Sequence, residues 1–425
     1  MSGDRFPRPA PGALWRHDDF MRLWAAQAIS AFGARITREG LPLAAVLTIA
    51  ASPVELAVLA ALAMGPGLVV GLMAGGFVDR SRRRPILIVS DLMRAGVLMT
   101  VPAAAWSGLL SMPHLYVVAA LVGAASVLFD IADNAYLPSL IAADDLMEGN
   151  AKINATESVA EVAGPALSGI LFQLLTVPVA IAANAVTYLA SAAFLARIRK
   201  AEPPAPPIED APGLTEDLAL GMNAVLADPL VRPIFVLTLA EAFFGAFFAG
   251  LYVLYAITVL QLTPVMLGAT IATGGLGALA GAAAGPVLAR RLGVGPAILL
   301  AAFGYGAACL LIPLAGSEPL TAMAVLMAAQ FLGDGLAVAG SVIALSLRQT
   351  VLPLAIMGRV GAVFHVGTGG LAVIGALLGG GLAESWGIRQ TLFIAAAGLM
   401  AAPLWAALSP LWRQRGMPAP PDPRN

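Results

Sequence analysis

Long runs of apolar residues alternate along the chain with short charged or proline-containing turns. Each run has about 20 residues, the length that an α-helix needs to cross the hydrocarbon core of a bilayer. The predicted spans are 20–48, 53–77, 85–107, 113–136, 157–176 and 178–197, then 231–256, 264–289, 296–315, 319–346, 359–382 and 389–410. The pattern predicts an all-α integral membrane protein with twelve transmembrane helices in two six-helix halves.

Composition supports this interpretation. Of the 425 residues, 59% are hydrophobic and only 12% are charged, and the mean hydropathy is +0.86. Soluble domains carry about a quarter charged residues, so this chain has too few to cover a water-exposed surface. The net charge of -1 gives no indication of nucleic-acid binding. We therefore expect a lipid bilayer to surround most of the chain.

One long polar segment separates the two sets of spans. It is rich in proline, and its second part, 215–226, has the spacing of a short amphipathic helix at the membrane interface. The predicted organisation is a tail at 1–19, an N-terminal half at 20–197, a linker at 198–230, a C-terminal half at 231–410 and a tail at 411–425.

The basic residues lie on one side of the predicted membrane. With both termini in the cytoplasm, all of the 24 basic residues except Arg35, Arg38 and Arg389 fall in cytoplasmic segments or their flanks. Cytoplasmic loops of membrane proteins carry this excess of Lys and Arg. The distribution predicts a multi-pass protein with both termini in the cytoplasm.

Two turns in corresponding places indicate an internal duplication. After the second span, residues 75–85 begin with Gly75 and place Asp79 beside a group of arginines. After the eighth span, residues 285–293 repeat the glycine-to-basic spacing, with Ala289 in place of the acid. The arginines of the first turn are Arg80, Arg82, Arg83 and Arg84.

The first turn resembles the G-x-x-x-D-R-x-G-R-R/K loop of the major facilitator superfamily, with Arg82 where that pattern has glycine. In the fifth span, Gly164, Pro165 and Gly169 resemble the G-P-x-x-G-G core of its antiporter motif, with Ser168 for one glycine. Stretches within 23–43, 79–92, 129–140 and 347–360 resemble the bacterial branch that contains enterobactin exporters and macrolide efflux proteins.

The resemblance implies proton-driven export of a small amphipathic molecule, and we expect a protein of the inner membrane of a bacterium that functions as a monomer. For the first turn it implies a latch, in which Asp79 accepts hydrogen bonds from the start of the eleventh helix near Arg359. The alternative is that the arginines only fix the orientation of the loop. The latch residues are Gly75, Asp79, Arg80, Arg83, Arg84, Asp91 and Arg359.

The Gly164-Pro165 pair has two interpretations as well. Proline inside a helix removes a backbone donor and loosens the helix. The pair is either an ordinary kink or, by the resemblance, a bend that shapes the closed cytoplasmic gate.

Ionisable residues inside the spans are candidates for proton coupling or substrate contact, because burying a charge in the bilayer is costly. For Asp133, Glu157 and Glu161, which lie nearer the membrane surface, we expect the side chains to snorkel to water. Glu241 lies among Phe243, Phe244, Phe247 and Phe248, which form either a wall around a proton acceptor or ordinary core. The candidates are Arg35, Arg38, Glu39, Asp130, Glu241 and Asp334.

The first span carries three of these charges. Arg35 and Glu39 are four residues apart, so we expect them to pair. Arg38 follows Gln27 by eleven residues on one stripe that can line a water-filled cavity. Either the pair only orients the helix, or Glu39 takes a proton and an arginine meets an acidic or polar group of the cargo.

Other functional classes find less support. The two lysines, Lys152 and Lys200, do not belong to a phosphate-binding G-x-x-x-x-G-K-[ST] loop, so we expect no ATP site. The single cysteine and three scattered histidines favour neither a metal site nor a cofactor. A membrane-embedded enzyme would need a clustered constellation that the sequence lacks. A proton-coupled importer of the same fold remains the alternative to an exporter.

Overall fold

The computed structural model describes residues 13–200, 202, 214–353 and 356–418, without the side chains of residues 13, 74–76, 79, 143 and 214. The ends of both predicted tails and most of the proline-rich part of the linker lie outside the described residues. Twelve long helices and one shorter helix make up most of the described chain. They are α1 Asp18–Ala44, α2 Pro53–Asp79, α3 Arg83–Trp106, α4 Met112–Leu140, α5 Leu146–Leu174, α6 Val177–Ala196, α7 Leu214–Ala227, α8 Val231–Leu254, α9 Pro264–Leu292, α10 Val294–Leu314, α11 Pro319–Val351, α12 Met357–Trp386 and α13 Ile388–Ala406.

Local sequence signals fix where several helices begin. Ser52 and Glu55 form a capping box around Pro53, the first residue of α2, and α9 and α11 also begin at a proline. Proline suits this position because its fixed φ is helical and its missing N–H would have no partner there. These short turns allow consecutive helices to cross the membrane with little connecting chain.

The two halves of the chain repeat the same backbone features. α1 and α8, the first helices of the two halves, both end in a π-helical turn, at Ala45–Ile49 and Tyr255–Val259. Soon after each turn a non-glycine residue has positive φ, Ala50 at 56° and Gln261 at 54°. The repetition supports a duplicated six-helix unit, with α1–α6 as the N-terminal half and α8–α13 as the C-terminal half.

Ten helices are long and apolar enough to cross a membrane by length and composition. Of the twelve long helices, α1 and α5 fall outside this group because each carries several charges. The two helices pack against each other, and α1 also packs along α6. Their charged faces lie inside the bundle, which explains why the two least apolar helices are also spans of an all-α, twelve-helix transmembrane fold.

The observed helices match the predicted spans, with one large difference. α5 begins at Leu146, whereas the apolar run predicted a start at 157. Its first turns are polar, and Glu148 and Lys152 form an i,i+4 ion pair at 2.9 Å there. Hydrophobicity alone does not detect this extension. In the linker, α7 occupies the segment whose spacing predicted an amphipathic helix.

The two ends of the bundle differ. We call the end that carries the first and last described residues the terminal end; there Val294 donates a backbone hydrogen bond to the carbonyl of Arg415 at 3.1 Å. At the opposite end the halves touch closely through α5–α9 and α2–α12. A Cβ on Gly169 would lie 2.6 Å from the Pro264 carbonyl oxygen, whereas a Cβ on Gly361, near the terminal end of α12, would have nothing within 4 Å. Glycine permits the close approach of the halves at the opposite end.

Glycines also join helices within the C-terminal half. On α9, Gly277 and Gly281 lie directly against the carbonyl groups of Phe331 and Gly335 in α11, and a Cβ on either glycine would overlap the neighbouring backbone. These small residues are packing positions, and their four-residue spacing is typical of close contacts between membrane helices.

Candidate functional site

Polar residues from α1, α4 and α5, together with Arg94 of α3, line one large cavity in the N-terminal half. On α1, α4 and α5 they recur at intervals of three, four and seven residues, the spacing of one helical face. The cavity has a volume of about 870 Å³, and we call it the N-half cavity. Its lining includes Gln27, Ser30, Ala31, Ala34, Arg35 and Arg38 of α1, Ser126, Phe129, Asp130, Asp133 and Asn134 of α4, and Asn154, Glu157, Ser158 and Glu161 of α5.

Four charged side chains form a connected network about halfway along α5. Arg35 forms an ion pair with Glu161. Arg38 lies between two carboxylates, with its Nη1 3.5 Å from Glu161 and its Nε 3.8 Å from Glu39. Two positive and two negative groups therefore balance one another in the membrane interior, which lowers the cost of burying them.

The predicted Arg35–Glu39 pair is wrong, because Arg35 pairs with Glu161 across the α1–α5 interface. The Glu161 side chain stays 46% exposed beside this ion pair, so it also keeps contact with water. The i,i+4 spacing allows the first pairing, but the approach of α5 brings a better placed carboxylate to Arg35.

Gly164 makes this approach possible. A Cβ at Gly164 would lie 2.5 Å from Cγ of Arg35, so only glycine leaves room for the arginine beside α5. Further along the same helix, the Pro165 carbonyl and Gly169 pack against Gly268 of α9. The residues that resemble the antiporter motif thus lie between the charge network and the close contact of the two halves.

A second cavity of about 610 Å³ lies between the halves, and we call it the central cavity. Arg38 and Glu161 line both the central and the N-half cavity, so the charge network forms their boundary. Glu39, 9% exposed, and Asp334 of α11 line the central cavity. The rest of its wall is largely apolar and aromatic, with Phe248, Tyr252, Tyr305, Ile271, Ile312 and Val338 among its residues.

The acids nearer the terminal end also face inward. Both oxygens of the Asp133 carboxylate accept from Nε2 of Gln27, at 2.5 and 2.6 Å. Asp130 and Glu157 line the same N-half cavity. α4 and α5 turn these faces toward α1, so the water within reach of these acids is that of the cavity. Glu157 is exposed there, whereas the Asp133 carboxylate is bound to Gln27.

Asp91 and Arg94 form a buried pair inside the N-terminal half, and Arg94 also lines the N-half cavity. Nη2 of Arg94 lies 2.5 Å from the Asp91 carboxylate, and its guanidinium lies 4.3 Å from the ring of Tyr188 and 4.4 Å from that of Phe129. The aromatic faces and Asp91 hold the cation in place. Within the described residues, neither Asp91 nor Arg94 forms an ion pair with the arginines of the 75–85 turn.

Glu241 lines a third cavity, of about 440 Å³, together with Tyr305 and His365. The phenylalanines near it in sequence do not form its wall. Phe243, Phe244 and Phe247 pack against one another and against glycines of α12 and α13, so the core interpretation of this stripe is the correct one. Phe248 alone of the four lines the central cavity.

The proposed latch is described only in part, because the side chain of Asp79 lies outside the described part of the chain. Arg359 pairs with Asp217 of α7, with Nε 2.6 Å from the carboxylate. A Cβ on Gly221 of α7 would lie 2.6 Å from the Arg359 carbonyl oxygen, so glycine allows α7 to pack on α12.

The arginines of the first turn have other partners. Glu202 of the linker accepts from the backbone N–H groups of Arg83 at 2.8 Å and Arg84 at 3.2 Å, which caps α3. The Arg84 side chain donates to the carbonyls of Leu195 and Ala196 at the end of α6. Arg80 is exposed at the end of α2.

Sequence reasoning missed one buried polar contact beside the network. Asn184 of α6, fully buried, donates to Oγ1 of Thr37 in α1. A lone asparagine in an apolar run is a detectable signal, because a buried amide requires partners inside the membrane. This contact holds α1 from the side opposite α5.

Solved transporter structures share this fold. The chain superposes on a mutant of the nucleoside transporter NupG with a TM-score of 0.77 at 11% identity, covering 92% of this chain and 99% of that one. A bacterial homologue of the iron transporter ferroportin in an inward-facing state gives 0.72 at 17% identity, over 92% and 98% of the two chains. A bacterial homologue of the human lysosomal transporter Spinster gives 0.68 at 14% identity, over 95% and 99%.

The sequence itself identifies the family. No curated protein matches the chain significantly. The family model described as transmembrane secretion effector matches residues 10–417, nearly the whole chain. With its twelve-helix fold and its central charged cavity, the chain belongs to the transmembrane secretion effector family of the major facilitator superfamily, and it is a membrane transporter.

Proposed function

We propose that this transporter exports a small amphipathic molecule in exchange for protons by alternating access, as the bacterial exporters that it resembles would imply. The observation that carries the proposal is the position of Glu39. It is a carboxylate, nearly buried in the membrane interior, that lines the cavity between the halves and whose ion pair among the described residues is with Arg38, at 3.8 Å. A carboxylate kept in such a place is costly and is a candidate for proton uptake.

Alternating access is supported by the asymmetry of the bundle ends. The halves pack backbone to backbone at the opposite end, while the polar N-half cavity lies toward the terminal end. With the terminal end in the cytoplasm, as the basic residues favour, this is an inward-facing state that is open to cargo from inside. Rocking of the halves about the charge network would then expose the site to the other side.

Proton coupling is supported by the balance of the network. Arg35, Arg38, Glu39 and Glu161 sum to zero charge when both carboxylates are ionised. Protonation of Glu39 removes one neighbour of Arg38 and leaves an unbalanced positive charge in the membrane interior. The network therefore has two charge states. A pH gradient can drive transport if the inward-facing and outward-facing conformations favour different charge states.

The proposal is tested with purified protein in proteoliposomes that carry an imposed pH gradient. Glu39→Gln should abolish transport driven by the gradient and retain substrate exchange without a gradient, because the amide cannot exchange a proton. Glu384→Gln, the same change at an exposed position near the end of α12, is the matched control and should transport normally.

Undiminished gradient-driven transport by Glu39→Gln would exclude Glu39 as the coupling residue and direct attention to Asp130, Glu241 and Asp334. The direction of transport is measured in the same vesicles by reversing the pH gradient and by analysing the two orientations of the protein in the membrane separately. If substrate and protons both moved to the side of the terminal end, the protein would be an importer.

A further inference from the structure

We infer that the cargo is an amphipathic cation whose charged group binds the acidic part of the N-half cavity and whose apolar part reaches the central cavity. This inference rests on the proposed export in exchange for protons and adds the chemical class of the cargo. It follows from the pairing of charges in the two cavities, from a buried acceptor without a partner among the described residues, and from the exchange of cargo for protons in opposite directions.

The N-half cavity has more carboxylates than it has arginines free to pair with them. Arg35 and Arg38 are paired with Glu161 and Glu39, and Arg94 with Asp91. The remaining acids of the lining are Asp130, Asp133 and Glu157, and none of them forms an ion pair within the described residues. These three carboxylates give the terminal part of the cavity an excess of negative charge.

A buried acceptor lies beside these acids. Gln27 is 8% exposed, and its Nε2 donates to both oxygens of Asp133. Its Oε1 is buried and has no hydrogen-bond partner within the described residues. A buried acceptor without a donor is unfavourable, and a cation or its N–H groups would satisfy it together with the carboxylate.

The central cavity suits the apolar part of such a molecule. Its aromatic residues, Phe248, Tyr252 and Tyr305, offer ring faces to an organic cation or to its apolar substituents. At about 870 and 610 Å³, both cavities are in the range of sites for drug-sized ligands. Because Arg38 and Glu161 line both, one molecule can contact the acidic and the aromatic region together.

The exchange of cargo for protons in opposite directions also favours a cation. Binding linkage is reciprocal, so exchange of cargo for protons requires each to weaken the binding of the other. A cation that binds ionised carboxylates meets this condition, because protonation removes its partners. An anion at Arg38 would draw that arginine away from Glu39 and Glu161 and favour their protonation, so that anion and proton would travel together. The hypothesis of an acidic cargo group at Arg38 is therefore less compatible with antiport.

The test uses two ions of nearly the same shape and opposite charge, tetraphenylphosphonium and tetraphenylborate. Equilibrium binding to the purified full chain in detergent is measured for both, and for ethidium as a second cation, with empty micelles as the blank. The cations should bind more tightly than the borate, and their affinity should fall as the pH is lowered, because protons compete for the carboxylates.

Variants locate the site. Asp133→Asn and Glu157→Gln should each raise the Kd of tetraphenylphosphonium about tenfold, because each removes a nearby negative charge. Asp144→Asn, the same change at an exposed position outside the cavities, should leave the Kd unchanged. Thermal unfolding of each variant separates loss of binding from loss of folding.

Tighter binding of the borate, equal binding of the two ions, no detectable binding of either cation, or equal effects of Asp133→Asn and Asp144→Asn would overturn the inference. The outcome of the proteoliposome assay is independent of the outcome of this binding test. Selective cation binding without transport driven by a pH gradient would support the cationic cargo and contradict proton coupling.

Discussion

Arg35 of α1 forms its ion pair with Glu161 of α5, three residues before the glycine that leaves space for the arginine side chain. The pair joins two helices of one half at the boundary of both cavities. α5 also forms the close contact with α9 of the other half. A change of charge at Glu161 therefore occurs on a helix that forms the interface that must open during alternating access.

Gly164→Ala should destabilise the protein and impair transport. The new Cβ would meet Cγ of Arg35 at 2.5 Å, so the arginine or α5 must shift. Overpacking of this kind costs about 1–3 kcal/mol. Thermal unfolding in detergent should show a lower Tm, and the proteoliposome assay reduced transport. Gly96→Ala is the control, since a Cβ there meets nothing within 4 Å; equal Tm values for the two variants would contradict the prediction.

The Arg35–Glu161 pair should show energetic coupling. Arg35→Gln and Glu161→Gln each leave a charge without its partner, whereas the double variant removes both charges. We expect a coupling free energy of about 0.5–3 kcal/mol, the range for residues in direct contact. The measurement is a double-mutant cycle on unfolding in detergent. Strictly additive effects would show that the pair does not stabilise the α1–α5 interface.

Asp79→Asn should strongly reduce transport with normal expression and membrane insertion, because the latch hypothesis assigns Asp79 a contact that forms in only one state. Asp217→Asn is the comparison variant. It breaks a partly exposed pair between the linker helix α7 and Arg359 of α12, and such pairs contribute about 0–1 kcal/mol. It should therefore transport nearly normally. Full transport by Asp79→Asn would leave loop orientation as the only role of that carboxylate.

The basic residues predict that the terminal end lies in the cytoplasm. Because the chain has one cysteine, Cys309→Ser gives a background without thiols. In intact cells, a membrane-impermeant maleimide should label Ser317→Cys at the opposite end and leave Gly416→Cys unlabelled until the cells are opened. Both positions are exposed. Labelling of Gly416→Cys in intact cells would reverse the orientation, and with it the inward-facing interpretation.

The hydrophobic runs and the amphipathic segment of the linker could be predicted from the sequence, because each depends on a local property of the chain. A span is defined by length and apolarity, and a helix start by proline and a capping side chain. The polar stripe on α1 is local too, since 3.6 residues per turn place Gln27 and Arg38 on one face. The early start of α5 escaped this reasoning because its first turns are polar.

Tertiary structure alone decided which faces meet. Periodicity tells which residues share a face of one helix, but the neighbour of that face depends on the packing of all twelve helices. Arg35 thus pairs with Glu161 rather than Glu39, and Asp133 faces Gln27 rather than the surface. Phe243, Phe244 and Phe247 fill the space beside glycines of other helices instead of lining a cavity. A charge inside a membrane must find a partner, and the packing of the helices determines which one is in reach.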